Sequence, residues 1–214
     1  MTQAYDKPPK GYFKYVLAVD CETTGLDWEA DDPSIGHQAI SWGLVVADAE
    51  TLIPIEELYL EVKWNDEMRA KRAADPEFGS GGTGIHGLTF AHLEEHGIPE
   101  DEAVVKILEL IIKYWGPTQQ VKCLGHNVIS FDIPFLKSML RRFGVEVRFG
   151  SRQIDTNGIG FATVGSYSSD ALFAAMGFDN REGHNSLEDA KQALESTRRI
   201  RLLWDDFIGV KAYE

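Results

Sequence analysis

The chain has 214 residues, 43% of them hydrophobic and 11% aromatic, which suits one large α/β core and excludes a disordered polymer. With 34 acidic against 21 basic residues its formal charge is −13. That balance excludes a grip on long duplex DNA by phosphate neutralisation alone, though not a nucleic-acid enzyme whose metal ions supply positive charge locally.

Residues 1–11 read as a loose polar lead-in, without the apolar core of a secretory signal, and the remainder as a single domain. YFKYVLAVD (12–20), QAISWGLVVAD (38–48) and IEELYLEVKW (55–64) read as three strands, and their short connections predict an antiparallel meander. Residues 65–87 are rich in glycine and predict no regular element. From Asp101 the period becomes helical through Val104, Ile107, Leu108, Ile111 and Trp115, and Gly116-Pro117 ends that helix. VKCLGHN (121–127) is a short buried strand. A helix follows over Asp132–Phe143, with Pro134 in its first turn and Gly144 as its stop. Residues 145–156 suggest a fifth strand, and helices near Ser169–Met176 and Leu187–Trp204 close the chain. The order β-β-β-α-β-α-β-α-α predicts a mixed five-stranded sheet with helices on both faces. Cys21 and Cys123 lie in apolar runs, as free buried thiols of a reducing, cytoplasmic protein would. No run reaches membrane-spanning length.

Acids recur at element ends. In YVLAVDCETTGLD the alternation of a strand puts Asp20 and Glu22 on one face and Cys21 on the other. Two carboxylates that close repel each other and call for a cation between them. Asp132, in HNVISFD, opens one helix, and Asp189, in HNSLED, lies in the first turn of another. If these ends meet at one sheet edge, four hard oxygen ligands suit Mg²⁺ or Mn²⁺. Two such ions about 4 Å apart clamp the attacking and leaving oxygens of a phosphodiester displacement. His184, on the loop before Asp189, is placed to take a proton from water, since an imidazole titrates near neutrality.

DCETTG, HNVISFD and HNSLED resemble, in that order, the three motifs of the DEDDh or DnaQ-like 3′→5′ exonucleases, whose fold is ribonuclease H-like. The likeness runs from about Tyr15 to Trp204. It implies Asp20, Glu22, Asp132 and Asp189 as ligands of two metal ions and His184 as general base. Asn185 stands where a tyrosine-type relative would carry Tyr, which favours the histidine subclass. GIHGLT (84–89) is similar to the stretch that flanks the substrate's 3′ end in these enzymes, and implies His86, Gly87 and Leu88 as contacts to the terminal nucleotide. Thr23, Thr24, Gly25 and Leu26 would offer amides and an apolar stacking surface, with Asn127 and Phe131 as further contacts. The resemblance implies release of nucleoside 5′-monophosphates from single-stranded DNA ends. Alternatives are an exoribonuclease or oligoribonuclease, or a proofreading subunit bound to a polymerase. A homodimer is a further partner reading. Only about ten residues follow the last helix, which offers no long docking tail.

Plainer readings compete. Ser186 to Asp189 also resembles a capping box, and Asp132 a first-turn acid. His126 reads as a structural strand-end residue, His37, His92 and His96 as surface residues, and Asp155 as structural or second to the ligands. Lys137, Arg141, Arg142, Arg148 and Arg152 form a basic patch: a solvated face, or a track for phosphates. The glycine run 79–84 lacks the GK[ST] ending of a phosphate-binding loop.

Overall fold

In a computed structural model, which describes residues 13–26, 37–65, 86–179 and 183–208, the first strand β1 spans Tyr15–Thr23. It is buried on both faces because it lies in the middle of a five-stranded sheet. Strands β2 (Ala39–Asp48) and β3 (Pro54–Glu61) follow, then helices α1 (Phe90–His96) and α2 (Glu100–Trp115), β4 (Cys123–Gly125) and α3 (Asp132–Arg142). After them come β5 (Ile154–Asp155), α4 (Thr156–Val164), α5 (Ser169–Ala175) and α6 (Ser186–Ile208). The sheet order is β3-β2-β1-β4-β5. The first three strands form the expected antiparallel meander, and β4 and β5 add in parallel.

Alternation along β1 divides the core. Leu17, Val19 and Cys21 face Trp42, Leu44 and Val46 of β2, under α2 and α3. Val16 and Ala18, with Val45 and Ala47, face α5 and α6 through Leu172, Phe173, Ala190, Ala193 and Leu194. Helices therefore cover both faces of a mixed sheet, as expected. β3 is an edge strand, and Pro54 at its start costs no central ladder bond.

Several boundaries differ from the expectation. β1 runs on through Glu22 to Thr23, so both carboxylates lie within the strand rather than at its close. The long fifth strand is reduced to Ile154–Asp155, with one further bridge between Val121 and Phe149. Val145, Val147 and Phe149 instead pack as irregular chain on the core. α1, capped by the Thr89 hydroxyl, and α4, capped by Asp155, are additional helices. The lead-in 1–11 and the glycine run 79–84 lie outside the described residues. Among the described residues no helix is long and apolar enough to cross a membrane.

Candidate active site

The register builds the site. Asp20 sits opposite Gly43 of β2, and Gly43 opposite Tyr59 of β3. The next row on the same face is Glu22, Ser41 and Glu61. Gly43 leaves a gap in this surface, and the start of α6 fills it. A Cβ at position 43 would stand 2.1 Å from the backbone carbon of Ser186. Beside it the buried hydroxyls of Ser41 and Ser186 meet at 2.8 Å.

The first turn of α6 is capped by Asn185. Its side-chain oxygen accepts from the amides of Leu187 (3.1 Å) and Glu188 (3.2 Å). Asn185 thus takes the capping place read for Ser186, whose hydroxyl is turned to Ser41. Asp189 is buried, with Oδ2 3.3 Å from Nδ1 of His184. Ligand atoms of Glu22, His184 and Asp189 all lie within 4.8 Å of one another.

Asp132 arrives from the opposite helical layer, as the first residue of α3, and is buried. Neither of its carboxyl oxygens has a hydrogen-bond partner of good geometry among the described residues. Burial pushes its pKa well above the usual carboxylate range. The Cys21 thiol and the backbone amides of Asp132 and Cys21 pull it back in part, and the charge of Asp155 adds to the rise. Cys21, between Asp20 and Glu22 in sequence, is held protonated first by burial and then by the charges of Asp132, Asp20 and Glu22. Three acids thus surround one thiol. Glu22 and Asp189 form the tight group with His184, while Asp20 and Asp132 lie outside it. Hard oxygen donors, including a buried carboxyl with no well-formed hydrogen bond among the described residues, fit a divalent cation.

Around the acids, the turn after β1 is held by Thr23 Oγ1 donating to Gly25 O (2.7 Å) and by a two-way tie between Thr24 and Gln38. His37, read as a surface residue, is half-buried, and its ring lies where a Gly25 Cβ would be. Leu26 is 82% exposed, an apolar surface open to a base. His86 is half-buried and its Nδ1 accepts from Leu88 N at 3.0 Å. Burial, then the neighbouring His184, lowers its pKa. Gly87 takes a φ of 70°, a conformation that favours glycine.

Residues farther along the chain have partners of their own. Asn127 is an exposed turn residue at φ 58° whose amide donates to Asp155. Phe131 packs on Phe135 with ring centroids 5.0 Å apart. Asp155 is structural: it accepts from Asn127 and Asn157 and ties the second motif to the start of α4. His126 is structural too, bonded to Thr156 and to the Tyr167 carbonyl. Arg142 does not belong to the basic patch, because it is buried in an ion pair with Glu100. Lys137, Arg141 and Arg148 share a groove with Glu146. Reading the sequence missed Tyr59, Glu61 and His92. Tyr59 donates to Glu61 Oε1 (2.9 Å), and Glu61 Oε2 pairs with His92 Nε2 (2.6 Å).

The exonuclease family model, RNase_T, matches residues 17–197. Among solved structures, the nuclease domain of 3′hExo, a DEDDh family member bound to rAMP, superposes with a TM-score of 0.64 at 15% identity. The match covers 91% of this chain and 94% of that one. A 3′-exonuclease in 3′-end-specific recognition of the histone mRNA stem-loop gives 0.63 at 16%, covering 91% and 83%. E. coli ExoI in its zinc-bound complex with single-stranded DNA gives 0.67 at 16%, and the match covers 92% of this chain but only 42% of ExoI. No curated protein matches in sequence. The chain belongs to the exonuclease family, and its fold is the ribonuclease H-like fold of the DEDDh nuclease domain on which it superposes.

Proposed function

We propose that this enzyme hydrolyses single-stranded DNA from its 3′ end in the cytoplasm and releases nucleoside 5′-monophosphates. The observation that carries the reading is the grouping of Glu22, His184 and Asp189 within 4.8 Å, with buried Asp132 next to the same strand. Asp20, Glu22, Asp132 and Asp189 would hold two divalent ions, Mg²⁺ or Mn²⁺. When bound, such ions supply positive charge to the reacting phosphate and to the 3′-oxygen that departs.

The protein's own part is positioning and proton transfer. With Asp189 Oδ2 3.3 Å from its Nδ1, His184 would carry its proton on that nitrogen and take one from the attacking water on Nε2. His184 keeps 39% of its side chain exposed, so that nitrogen is open to solvent and substrate. Thr23 to Leu26, which follow Glu22 directly in the chain, and His86 to Leu88 would receive the terminal nucleotide. RNA ends are a second reading, supported by the likeness to the 3′-exonuclease that recognises histone mRNA.

The test is one assay: purified protein with 5′-labelled single-stranded DNA and RNA of equal sequence, in Mg²⁺, Mn²⁺ or EDTA. Stepwise shortening from the 3′ end with 5′-monophosphate products, lost in EDTA and faster on DNA, is expected. Nucleoside 3′-monophosphates or undiminished hydrolysis in EDTA would sink the mechanism, and faster loss of RNA would reassign the substrate. His184→Ala should cut turnover by about 10²-fold or more.

A further inference from the structure

Residues 121–152 hold six basic residues against two acidic ones, in a chain whose overall balance is 21 against 34. The fold gathers four of those cations in one place. Lys137, Arg141 and Arg148 line a groove with Phe149, and Lys122 lies against Gly150, the next residue. Lys137 Nζ stands 5.5 Å from the centroid of the Phe149 ring. Glu146 is the one acid among the described residues that line the groove. Phe149 bridges Val121 at the end of the sheet where β1 and β4 begin, so the groove lies away from the acids near the close of β1.

Helix α3 connects the two places. Asp132 opens it, and Pro134, Lys137 and Arg141 recur at helical spacing on the side turned from the core. From Asp132 to Arg141 the helix rises about 13 Å, the length of about four stacked nucleotides. A merely solvated helix face mixes its signs, as α6 does with its Glu188–Lys191 and Glu195–Arg198 pairs. The only carboxylate of α3 is Asp132, which is buried, so the exposed face of this helix carries one sign. Cations beside an aromatic ring are what surfaces for single strands combine, the charge for phosphates and the ring for bases.

We propose that this groove is a second contact for the single strand, holding phosphates from about the fifth nucleotide onward while the acids hold the 3′ end. The proposal rests on the reading of the chain as an exonuclease of single strands, and adds a preference for length to it. With a net charge of −13 the rest of the surface repels phosphates, so the course of the strand follows these cations.

The test compares deoxythymidine oligonucleotides of about 4 and about 15 nucleotides, which span the usual site sizes for single strands. Affinity is measured in Ca²⁺ across KCl concentrations for wild type and for the triple variant Lys137→Gln, Arg141→Gln, Arg148→Gln. A charge-matched control carries Lys106→Gln, Lys113→Gln and Arg201→Gln, on α2 and α6. Wild type should bind the longer oligonucleotide more tightly and with the steeper salt dependence. The triple variant should bind it about 10-fold more weakly at low salt, and its log–log salt slope should fall by about 2, at about 0.7 per phosphate contact. Its affinity for the shorter oligonucleotide and its urea midpoint should stay near wild type, and the control should keep the wild-type slope. An unchanged slope in the triple variant would overturn the inference. So would an equal loss on the shorter oligonucleotide, or an equal loss in the control, either of which would mean that the cations act by general attraction. A wild type that binds both oligonucleotides yet shortens neither in Mg²⁺ would remove the exonuclease reading instead, and is read separately.

Discussion

Gly43→Ala adds one carbon to the centre of the sheet face that carries the site. That Cβ would stand 2.1 Å from the Ser186 carbon, 2.2 Å from the Leu187 nitrogen and 2.2 Å from the Ser186 oxygen, all of them backbone. Ordinary contact begins near 3.4 Å, so the start of α6 must move by about 1.3 Å, since no side chain can rotate away. Overpacking of this kind costs about 1–3 kcal/mol, or about 2–4 °C in Tm per kcal/mol for a chain of this size. The same displacement moves Asp189 and His184, and a 1 Å misplacement can cost roughly 10²-fold in rate. The assay pairs urea unfolding with turnover on a 3′-ended oligonucleotide. Gly158→Ala is the control, in α4 with nothing within 4 Å of its added carbon. It should stabilise by about 0.5–1 kcal/mol and leave turnover alone. A Gly43→Ala enzyme with wild-type midpoint and rate would refute the seating of α6 on β2.

Asp132→Asn should abolish turnover and alter the metal-free pH profile. With a folded-state pKa raised by burial, Asp132 favours folding most below the ordinary carboxylate range, and this is lost as pH rises through the raised value. Melting curves across pH should show that dependence in wild type and its loss in the variant, whose stabilisation by saturating Mg²⁺ should also fall short of the roughly 2.7 kcal/mol expected at a hundredfold excess over Kd. Arg142→Ala should cost about 3–5 kcal/mol in chemical denaturation, because it strands Glu100, whose side chain is 6% exposed; an ordinary surface-mutant loss of under 0.5 kcal/mol would contradict the burial. A 3′-phosphate or a closed single-stranded circle should resist digestion, and cleavage of the circle would assign an endonuclease.

The central strand, α2 and α3 are legible in sequence because burial imposes a strict period and glycine stops each helix. The acids and His184 of the proposed site stand in spaced motifs, which is what singles them out in the sequence. Residues 145–156 mislead for a physical reason: Val145, Val147 and Phe149 alternate as a strand does, yet what they cover is the side of the helical core. α4 hides behind Gly158, Gly160 and β-branched residues, and its only local signal is the Asp155 cap. Tyr59 and Glu61 could not be placed beside the site without the register of β3 on β2, which no local pattern in IEELYLE specifies. The same holds for Gly43, whose role depends on a helix more than 140 residues later. Arg142 reads as solvated until Glu100 is found across from it.

The acids reach their common strand from two sides of the sheet: Asp132 on a helix packed against one face, and Asp189 on a helix packed against the other, with His184 on the loop that leads into it. Neither helical layer contains a working half. If either layer lifted from β1, even briefly and without global unfolding, the acids it carries would leave and hydrolysis would pause. Turnover in this enzyme is therefore also a gauge of cooperativity between its two cores, and a substitution buried far from the nucleotide can silence it by loosening one layer while the other stays intact.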